Sequence, residues 1–250
     1  MEPFVIEIAG TAIAVSPMFL STREYCKKYL TERNAEHQIT VTPADLEFEQ
    51  AQLEKEALEQ SIRPRKFPQP FLERATILRK SAEILLHKRT LLLHGSTISV
   101  DGAAYLFTAP CGTGKSTHTR LWRQVFGDRA VMINDDKAFL IVRDDGVVAC
   151  GSPWSGKHGI DTNISVLLKG ICVISRGNEN RIERIDPVLI RSLLIDQLLG
   201  YTEAPDLNTA NTLVDRLMRI VPLWQLTCNM KPDAAIVAHA AMSGCDYAQR

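Results

Sequence analysis

The chain has 250 residues, and its 29 lysines and arginines are balanced by 29 aspartates and glutamates, so the formal net charge is zero. A protein dedicated to nucleic-acid binding normally carries a basic excess or a basic stripe, so this composition argues against that class. Hydrophobic residues make up 45% of the chain and charged residues 23%, which are ordinary values for a globular protein. The length predicts one large domain, or one domain with a small appendage.

The sequence favours a cytoplasmic protein with neither a membrane nor a nucleic acid as partner. It begins Met-Glu-Pro-Phe-Val-Ile-Glu-Ile, with acidic residues where a secretion signal would be basic. Nowhere does an apolar run approach the roughly 18 residues of a membrane helix. The six cysteines are scattered without a Cys-x-x-Cys pair, which is typical of a reducing compartment.

Short strands are expected over residues 4–15 and 38–42, before a helix that begins at Thr42. Thr42 supplies a capping hydroxyl, Pro43 suits the first turn, and an acid follows three residues after the cap. This helix is expected to run to about Gln60 and carries six acids against one lysine. A solvated helix face explains that charge more simply than a binding site does.

A proline-rich stretch over residues 63–70 is interpreted as a linker, and an amphipathic helix follows it. Apolar residues recur from Phe71 to Leu85 at spacings of four, three, four and three, the pattern of a helix with one buried face. The chain then changes character near residue 90. We therefore expect a small α+β region over residues 1–89, with its connecting helix, and a separate domain over residues 90–250.

The second region begins with a strong hairpin signature. Asp101-Gly102 joins two β-rich segments and suits the positive φ angles of a type I′ turn. Strands at 130–134 and 139–142 then follow each other with no room for a helix, and a second Asp-Gly turn leads into 147–150. The sheet is therefore expected to be partly antiparallel. The last third is expected to be mainly helical, with helices at 187–200, 209–220 and 232–243 and one strand at 222–227.

One segment carries the pattern of a phosphate-binding Walker A loop. Residues 109–117 read Ala-Pro-Cys-Gly-Thr-Gly-Lys-Ser-Thr and lie between an expected strand and an expected helix. Gly112 and Gly114 allow successive backbone N–H groups to face phosphate oxygens at the helix N-terminus. Lys115 suits the β and γ phosphates, and the Ser116 hydroxyl suits Mg²⁺. The cofactor-binding residues are therefore predicted to be Cys111, Gly112, Thr113, Gly114, Lys115, Ser116 and Thr117.

Two positions in this loop bear on its conformation and its reactivity. Ala109 stands where the standard pattern begins with glycine, which requires a first turn with negative φ. Cys111 lies close to a helix N-terminus, where a thiol can have a lowered pKa and react with electrophiles. Occupying a loop position is the simpler role for Cys111.

Two adjacent carboxylates, Asp135 and Asp136, end an apolar strand about 20 residues after the loop, as in a Walker B element. One can bind Mg²⁺ directly or through water, and the other can accept a proton from an attacking hydroxyl. His94 is a candidate for orienting that pair. Lys157, in a second glycine-rich stretch, is a further candidate cofactor-binding residue that would close on the phosphates and offset charge on the transferring phosphoryl group. For both, a structural role or a place in a surface loop is the alternative.

Taken together, His94-Gly95, the Asp-Gly hairpin, the Gly-Thr-Gly-Lys-Ser core and Asp135-Asp136 resemble the catalytic domain of the HPr serine kinase/phosphorylase family. The loop also resembles that of ATP-type phosphoenolpyruvate carboxykinase, and more closely that of small stand-alone HPr-kinase-like peptide-tailoring kinases. The resemblance covers residues 90–160 and implies an α/β P-loop kinase core with a mixed sheet and flanking helices. It does not extend to the family's later arginine signature or to residues 1–89.

The resemblance also implies roles for individual residues. Asp135 would be the catalytic base with His94 beside it, and Lys115 would bind phosphate. Ser116 and Asp136 would hold the metal. The expected function is an ATP- and Mg²⁺-dependent kinase that phosphorylates a hydroxyl, most simply a serine or threonine of a peptide or small protein, and related kinases assemble as homo-oligomers. A regulatory nucleotide-binding protein and a small-molecule kinase for serine or a sugar are the alternatives.

Overall fold

A computed structural model describes residues 1–59 and 61–245. It is an α/β structure with two sheets and, in the described residues, seven α-helices. The helices are α1 (Leu20–Tyr25), α2 (Pro43–Glu59), α3 (Gln69–Leu86), α4 (Lys115–Phe126), α5 (Pro187–Asp196), α6 (Ala204–Ile220) and α7 (Asp233–Ser243). None of these helices combines the length and apolar character that crossing a bilayer requires.

The N-terminal region contains a small three-stranded sheet with its helices alongside. The strands are β1 (Phe4–Ile8), β2 (Thr11–Ser16) and β3 (His37–Thr40), in the order β1-β2-β3. The predicted start of α2 is confirmed, because Asp45 accepts hydrogen bonds from the Thr42 backbone and hydroxyl at 2.8 Å while its own N–H donates to the Thr42 hydroxyl at 3.4 Å. The linker expected over residues 63–70 has no regular structure from 63 to 68, and its last two residues begin α3.

The large sheet has nine strands. They are β4 (Thr90–His94), β5 (Ser96–Val100), β6 (Ala103–Thr108), β7 (Ala130–Asn134), β8 (Lys137–Val142), β9 (Val147–Cys150), β10 (Ser165–Arg176), β11 (Arg181–Arg184) and β12 (Leu223–Cys228). Seven of them follow the order β4-β8-β9-β10-β6-β5-β7, and β12 pairs with β10 and β11. β10 runs parallel to β6 and β12, whereas most other pairs are antiparallel. The mixed sheet expected from the sequence is confirmed.

The first hairpin has the geometry that its turn residues predict, with φ of 52° at Asp101 and 76° at Gly102. Two expectations for the last third are wrong. β10, the 12-residue strand beside β6, was not predicted from the sequence, and α5 ends at Asp196 rather than at Gly200. Gly200 instead has φ of 82° and packs so closely on α3 that a Cβ there would lie 2.7 Å from the Ala82 side chain. This close approach, rather than a helix end, explains the glycine.

Two hydrophobic clusters form the core. The smaller one lies between the large sheet and the helices α4 and α7 and contains Trp122, Phe107 and Ala238. The larger one joins the N-terminal region to the large sheet, and its buried members include Ile6, Leu85, Leu91 and Phe139. Apolar packing therefore continues across residue 90. The division into regions 1–89 and 90–250 stays a prediction.

Candidate active site

The predicted phosphate loop connects the end of β6 to the start of α4. Gly112 and Gly114 have φ of 77° and 126°, conformations that side-chain-bearing residues rarely adopt. Ala109 is buried and lies outside this region of φ, as the replacement of the first glycine requires. Thr113 closes the turn, since its hydroxyl donates to the Pro110 carbonyl at 2.8 Å. The loop thus delivers the N-terminus of α4 to the end of the sheet, where an anion is favoured.

Lys115 lies under the loop that it was expected to serve. Its side chain is buried, and its ammonium donates to the Ala109 carbonyl at 2.9 Å. Burial lowers the pKa of Lys115, and the negative charges of the Asp136 and Asp135 carboxylates partly offset that effect. The ammonium therefore lies against the loop, within electrostatic range of both carboxylates.

The two carboxylate oxygens of Asp135 differ in their hydrogen bonds. Its Oδ1 accepts a hydrogen bond from the Ser96 hydroxyl at 2.7 Å, and that hydroxyl also meets the Thr119 hydroxyl at 2.8 Å. Its Oδ2 has no hydrogen-bond partner in the part of the chain that the structure describes. The carboxylate is thus oriented by β5 and α4 while keeping one oxygen available for a ligand.

Asp136 has a different environment, because both of its oxygens are engaged. His94 Nε2 lies 3.2 Å from Oδ1, and the Lys137 ammonium pairs with Oδ2. Burial opposes ionisation, but the His94 hydrogen bond and the Lys137 charge outweigh it and lower the pKa of Asp136 to about 2. From the sequence, His94 is expected near the carboxylate pair, beside Asp135 as the base. In the structure, the histidine at the end of β4 pairs with the neighbouring carboxylate, Asp136.

Asn134 and Ser152 hold the turn that carries both carboxylates. The Asn134 side-chain oxygen accepts from the backbone N–H groups of Asp136 and Lys137 at 2.8 and 2.6 Å. Its amide donates to the Ser152 carbonyl and hydroxyl at 2.9 and 3.0 Å. This network joins the turn to the segment after β9, which spans residues 151–164.

The segment 151–164 is itself tied down from the N-terminal region. Asp161 accepts from the hydroxyls of Ser155 and Tyr29 at 2.8 and 3.1 Å and pairs with Lys28 at 3.2 Å. Gly156, with φ of 67°, approaches Asp136 so closely that a Cβ would lie 3.0 Å from the aspartate Cβ. Lys157 is in a 3₁₀ turn, Gly156–His158, but its side chain lies outside the described part of the structure. Its phosphate-binding role stays a prediction.

A large cavity of about 480 Å³ opens on one side of α4. Gly112, Gly114 and Thr117 form its phosphate-loop end, and Leu121 and Ile174 add apolar surface. The other side is formed by Asn178, Asn229 and the exposed Met230, from the segments after β10 and β12. Its size and mixed lining match a small-molecule site.

A small cavity of about 180 Å³ opens on another side of the same helix. Ser116, Thr117 and Asp135 line it, together with Arg120 and Arg123 from α4 and His158 from the segment after β9. Three of the predicted site residues therefore meet here. The exposed Cys111 lines neither cavity.

Mg²⁺ binds oxygen ligands, and it needs few of them from the protein because it retains several waters. The Ser116 hydroxyl makes no hydrogen bond with a described residue and faces the small cavity, so it fits. Asp136 is ionised, but His94 and Lys137 already occupy its oxygens, so it fits only as a carboxylate contacting the ion through water. Clusters of three or more His, Cys, Asp or Glu suited to a metal are absent from the described residues.

Three further residues at the site were not predicted from the sequence. Arg176, at the end of β10, donates to the carbonyls of Thr113 and Gly112 at 3.1 and 2.5 Å and so braces the phosphate loop. Ser96 orients Asp135, and Lys137 pairs with Asp136. Only Arg176-Gly177-Asn178 carried a usable signal, namely polar residues and a glycine at the end of a strand.

Comparison with models of known protein families finds no match, and comparison with curated protein sequences finds none either. Among solved structures, the chain is similar to the Hpr(Ser) kinase/phosphatase from Coxiella burnetii. The two share 12% sequence identity and a TM-score of 0.37, over 61% of this chain and 97% of that chain. A likeness this distant establishes neither fold nor chemistry.

Proposed function

We propose that this protein is an ATP- and Mg²⁺-dependent phosphotransferase that phosphorylates a hydroxyl group. One observation carries the proposal. The phosphate loop and the N-terminus of α4, with the buried Lys115, lie beside Asp135, whose carboxylate has one oxygen available. A phosphate loop binds the donor, and a carboxylate facing the same space can receive the acceptor's proton.

The large cavity is the proposed nucleoside site. It adjoins Gly112 and Gly114, so a nucleotide lying there has its phosphates at the N-terminus of α4. Leu121 and Ile174 offer apolar contacts to a base, and Asn178 and Asn229 offer polar ones. Mg²⁺, held by Ser116 with the phosphate oxygens and by Asp136 through water, would neutralise charge on the transferring group.

In the proposed reaction, the acceptor oxygen forms a bond to the γ-phosphorus while the bond between that phosphorus and the β,γ-bridging oxygen breaks. ADP leaves with the bonding electron pair. The hydroxyl proton passes to Asp135 Oδ2 and then to solvent. Lys115 stabilises the negative charge that the phosphates share during this transfer. The acceptor is proposed to be a serine or threonine hydroxyl of a peptide or small protein.

Replacing Asp135 with Asn tests the assignment of the base. The amide keeps the side-chain shape but cannot take a proton, so we expect kcat for [γ-³²P]ATP transfer to a serine peptide to fall by about 10²- to 10⁴-fold. Binding of ATP, measured by calorimetry, should change by much less, because Asp135 is not part of the phosphate loop.

Asp128→Asn is the matched control, because Asp128 is exposed in the 3₁₀ turn Gly127–Arg129 at the far end of α4. Equal transfer by wild type and Asp135→Asn would show that Asp135 is not the base. Absence of ATP binding by the wild-type protein would contradict the proposed function as a whole.

A further inference from the structure

The small cavity contains more positive charge than the proposed chemistry uses. Arg120 and Arg123 lie three residues apart on one face of α4 and both line it. Neither forms an ion pair or hydrogen bond with a described residue. Four other arginines, by comparison, have carboxylate partners: Arg79, Arg89, Arg191 and Arg216.

Arg123 also has an unsatisfied donor. Its Nε atom is buried and has no hydrogen-bond partner among the described residues. Buried polar groups are normally paired, because leaving one unpaired costs about 1–3 kcal/mol. An anionic group bound in the cavity would supply the missing partner, and guanidinium groups suit carboxylate and phosphate oxygens in particular.

The position and size of the cavity identify which substrate this anion belongs to. The volume of about 180 Å³ is well below that of the large cavity, about 480 Å³, so the small cavity suits one side chain or a small hydroxy acid rather than a nucleoside. Asp135, the proposed base, lines this cavity together with Ser116. A group bound here therefore has its hydroxyl near the reacting phosphate.

We propose that the small cavity is the acceptor subsite and that Arg120 and Arg123 select an acceptor with a carboxylate or phosphate close to its hydroxyl. This inference rests on the proposed kinase function. It adds the substrate class, an acidic acceptor. The anion comes either from a side chain beside the phosphorylated residue of a peptide or from the free carboxylate of a small hydroxy acid.

The test compares acceptors that differ only in this charge. Serine peptides of equal length carry Glu, Gln or Lys beside the serine, and L-serine is compared with L-serinamide, which lacks the carboxylate. In assays with Mg²⁺ and [γ-³²P]ATP, we expect at least one of these two comparisons to show a preference. The KM for the acidic acceptor should be about tenfold or more below the KM for the neutral one. Preference among the peptides identifies a side-chain anion, and preference for L-serine identifies a free carboxylate.

Variants connect that preference to the two arginines. Arg120→Gln and Arg123→Gln should each raise KM for the preferred acidic acceptor about tenfold or more, with a smaller change in kcat, and should reduce the preference over the neutral one. Arg123→Glu should shift the preference toward the lysine peptide. Arg181→Gln is the control, because Arg181 is exposed on β11 and pairs with Glu183 at 2.9 Å outside either cavity. Thermal melting confirms that each variant is folded.

Equal KM values for acidic and neutral acceptors in the wild type would overturn the inference while leaving the kinase proposal intact. Retention of the full acidic preference by both arginine variants would overturn it as well. If wild type binds ATP but phosphorylates no acceptor, the proposed function fails and the inference fails with it. Anisotropy of the fluorescein-labelled glutamate peptide with Mg·ADP gives an independent check, since the arginine variants should bind it about tenfold more weakly.

Discussion

Asp135 and Asp136 are adjacent in sequence, but their carboxylates have different hydrogen-bond and ion-pair partners. Asp135 has a neutral hydroxyl partner and one available oxygen, whereas Asp136 has two cationic or proton-donating partners. Adjacent residues at the end of a strand point in different directions, so each meets different neighbours. This difference supports Asp135 as the proton acceptor, because a carboxyl with a pKa near 2 is a weak base.

The low pKa of Asp136 predicts a pH-dependent contribution to stability. Its folded-state pKa of about 2 is below the unfolded value, so the stabilisation is fully present above about pH 4 and is lost as the pH falls toward 2. The shift corresponds to about 2 kcal/mol. Asp136→Asn should therefore lower the free energy of unfolding in urea at pH 6 by about that amount, and the difference from wild type should shrink below pH 4.

Asp145→Asn serves as the control, because Asp145 is exposed in the turn between β8 and β9. A deficit in Asp136→Asn that stays constant between pH 6 and pH 2.5 would show that the ionised carboxylate does not contribute as described. The change should fall in the pH range between the folded-state and the unfolded-state pKa of Asp136.

At the scale of elements, the phosphate loop depends on a strand that the sequence did not reveal. β10 runs parallel to β6, with Val173 opposite Thr108, so its end lies beside the loop. Arg176 there donates two hydrogen bonds to loop carbonyls. Arg176→Ala should leave the loop less ordered before binding and weaken ATP binding about 5- to 30-fold, the effect of losing one or two such bonds. Calorimetric titration with Mg·ATP measures this.

Arg184→Ala is a suitable comparison, because Arg184 is exposed on β11 and stacks on Trp224, with its guanidinium carbon 5.0 Å from the ring centroid. Its removal should leave the Kd for ATP unchanged. If Arg176→Ala also binds ATP like wild type, the loop does not need this brace.

Local signals predicted many elements correctly because turns and helix starts depend on a few neighbouring residues. Thr42 and Asp45 cap α2, and Asp101-Gly102 forms its turn regardless of what packs nearby. β10 carried no such signal, since its middle is buried without alternation and Lys169-Gly170 interrupts its apolar run. The phosphate loop was recognisable for the same local reason. The sequence pattern could not identify Arg120, Arg123 and Ser96. The proposed role of each depends on residues that are distant in sequence and are brought close by the fold.

At the scale of the whole molecule, the N-terminal region lies against the candidate active site as well as the core. Burial raises the pKa of Tyr25 to about 12, and the charges of Asp161 and Asp136 add to this rise although Arg74 opposes it. Trp154 donates from its indole to the Arg74 carbonyl at 2.8 Å. Residues 1–89 thus contact the segment that flanks Asp136, and a role for them in shaping the site follows from that contact.

The larger hydrophobic cluster predicts that the regions on either side of residue 90 unfold together. Leu85 of α3 is fully buried in the same cluster as Leu91 and Phe139. All three tryptophans, Trp122, Trp154 and Trp224, lie beyond residue 90. Leu85→Ala should lower the free energy of unfolding by about 2–5 kcal/mol and shift the denaturant midpoint of tryptophan fluorescence, even though the mutation is in the N-terminal region.

The control is Leu58→Ala, because Leu58 is 65% exposed on α2 and its truncation leaves no cavity. Hydrogen exchange of α3 and β4 provides the second measurement. The two elements should have the same opening free energy in wild type, and Leu85→Ala should lower that free energy equally in both. A fluorescence midpoint that does not move while α3 loses protection would mean that residues 1–89 unfold independently. In that case, the predicted two-domain division would also be the thermodynamic one, and the cluster would be a docking interface rather than a shared core.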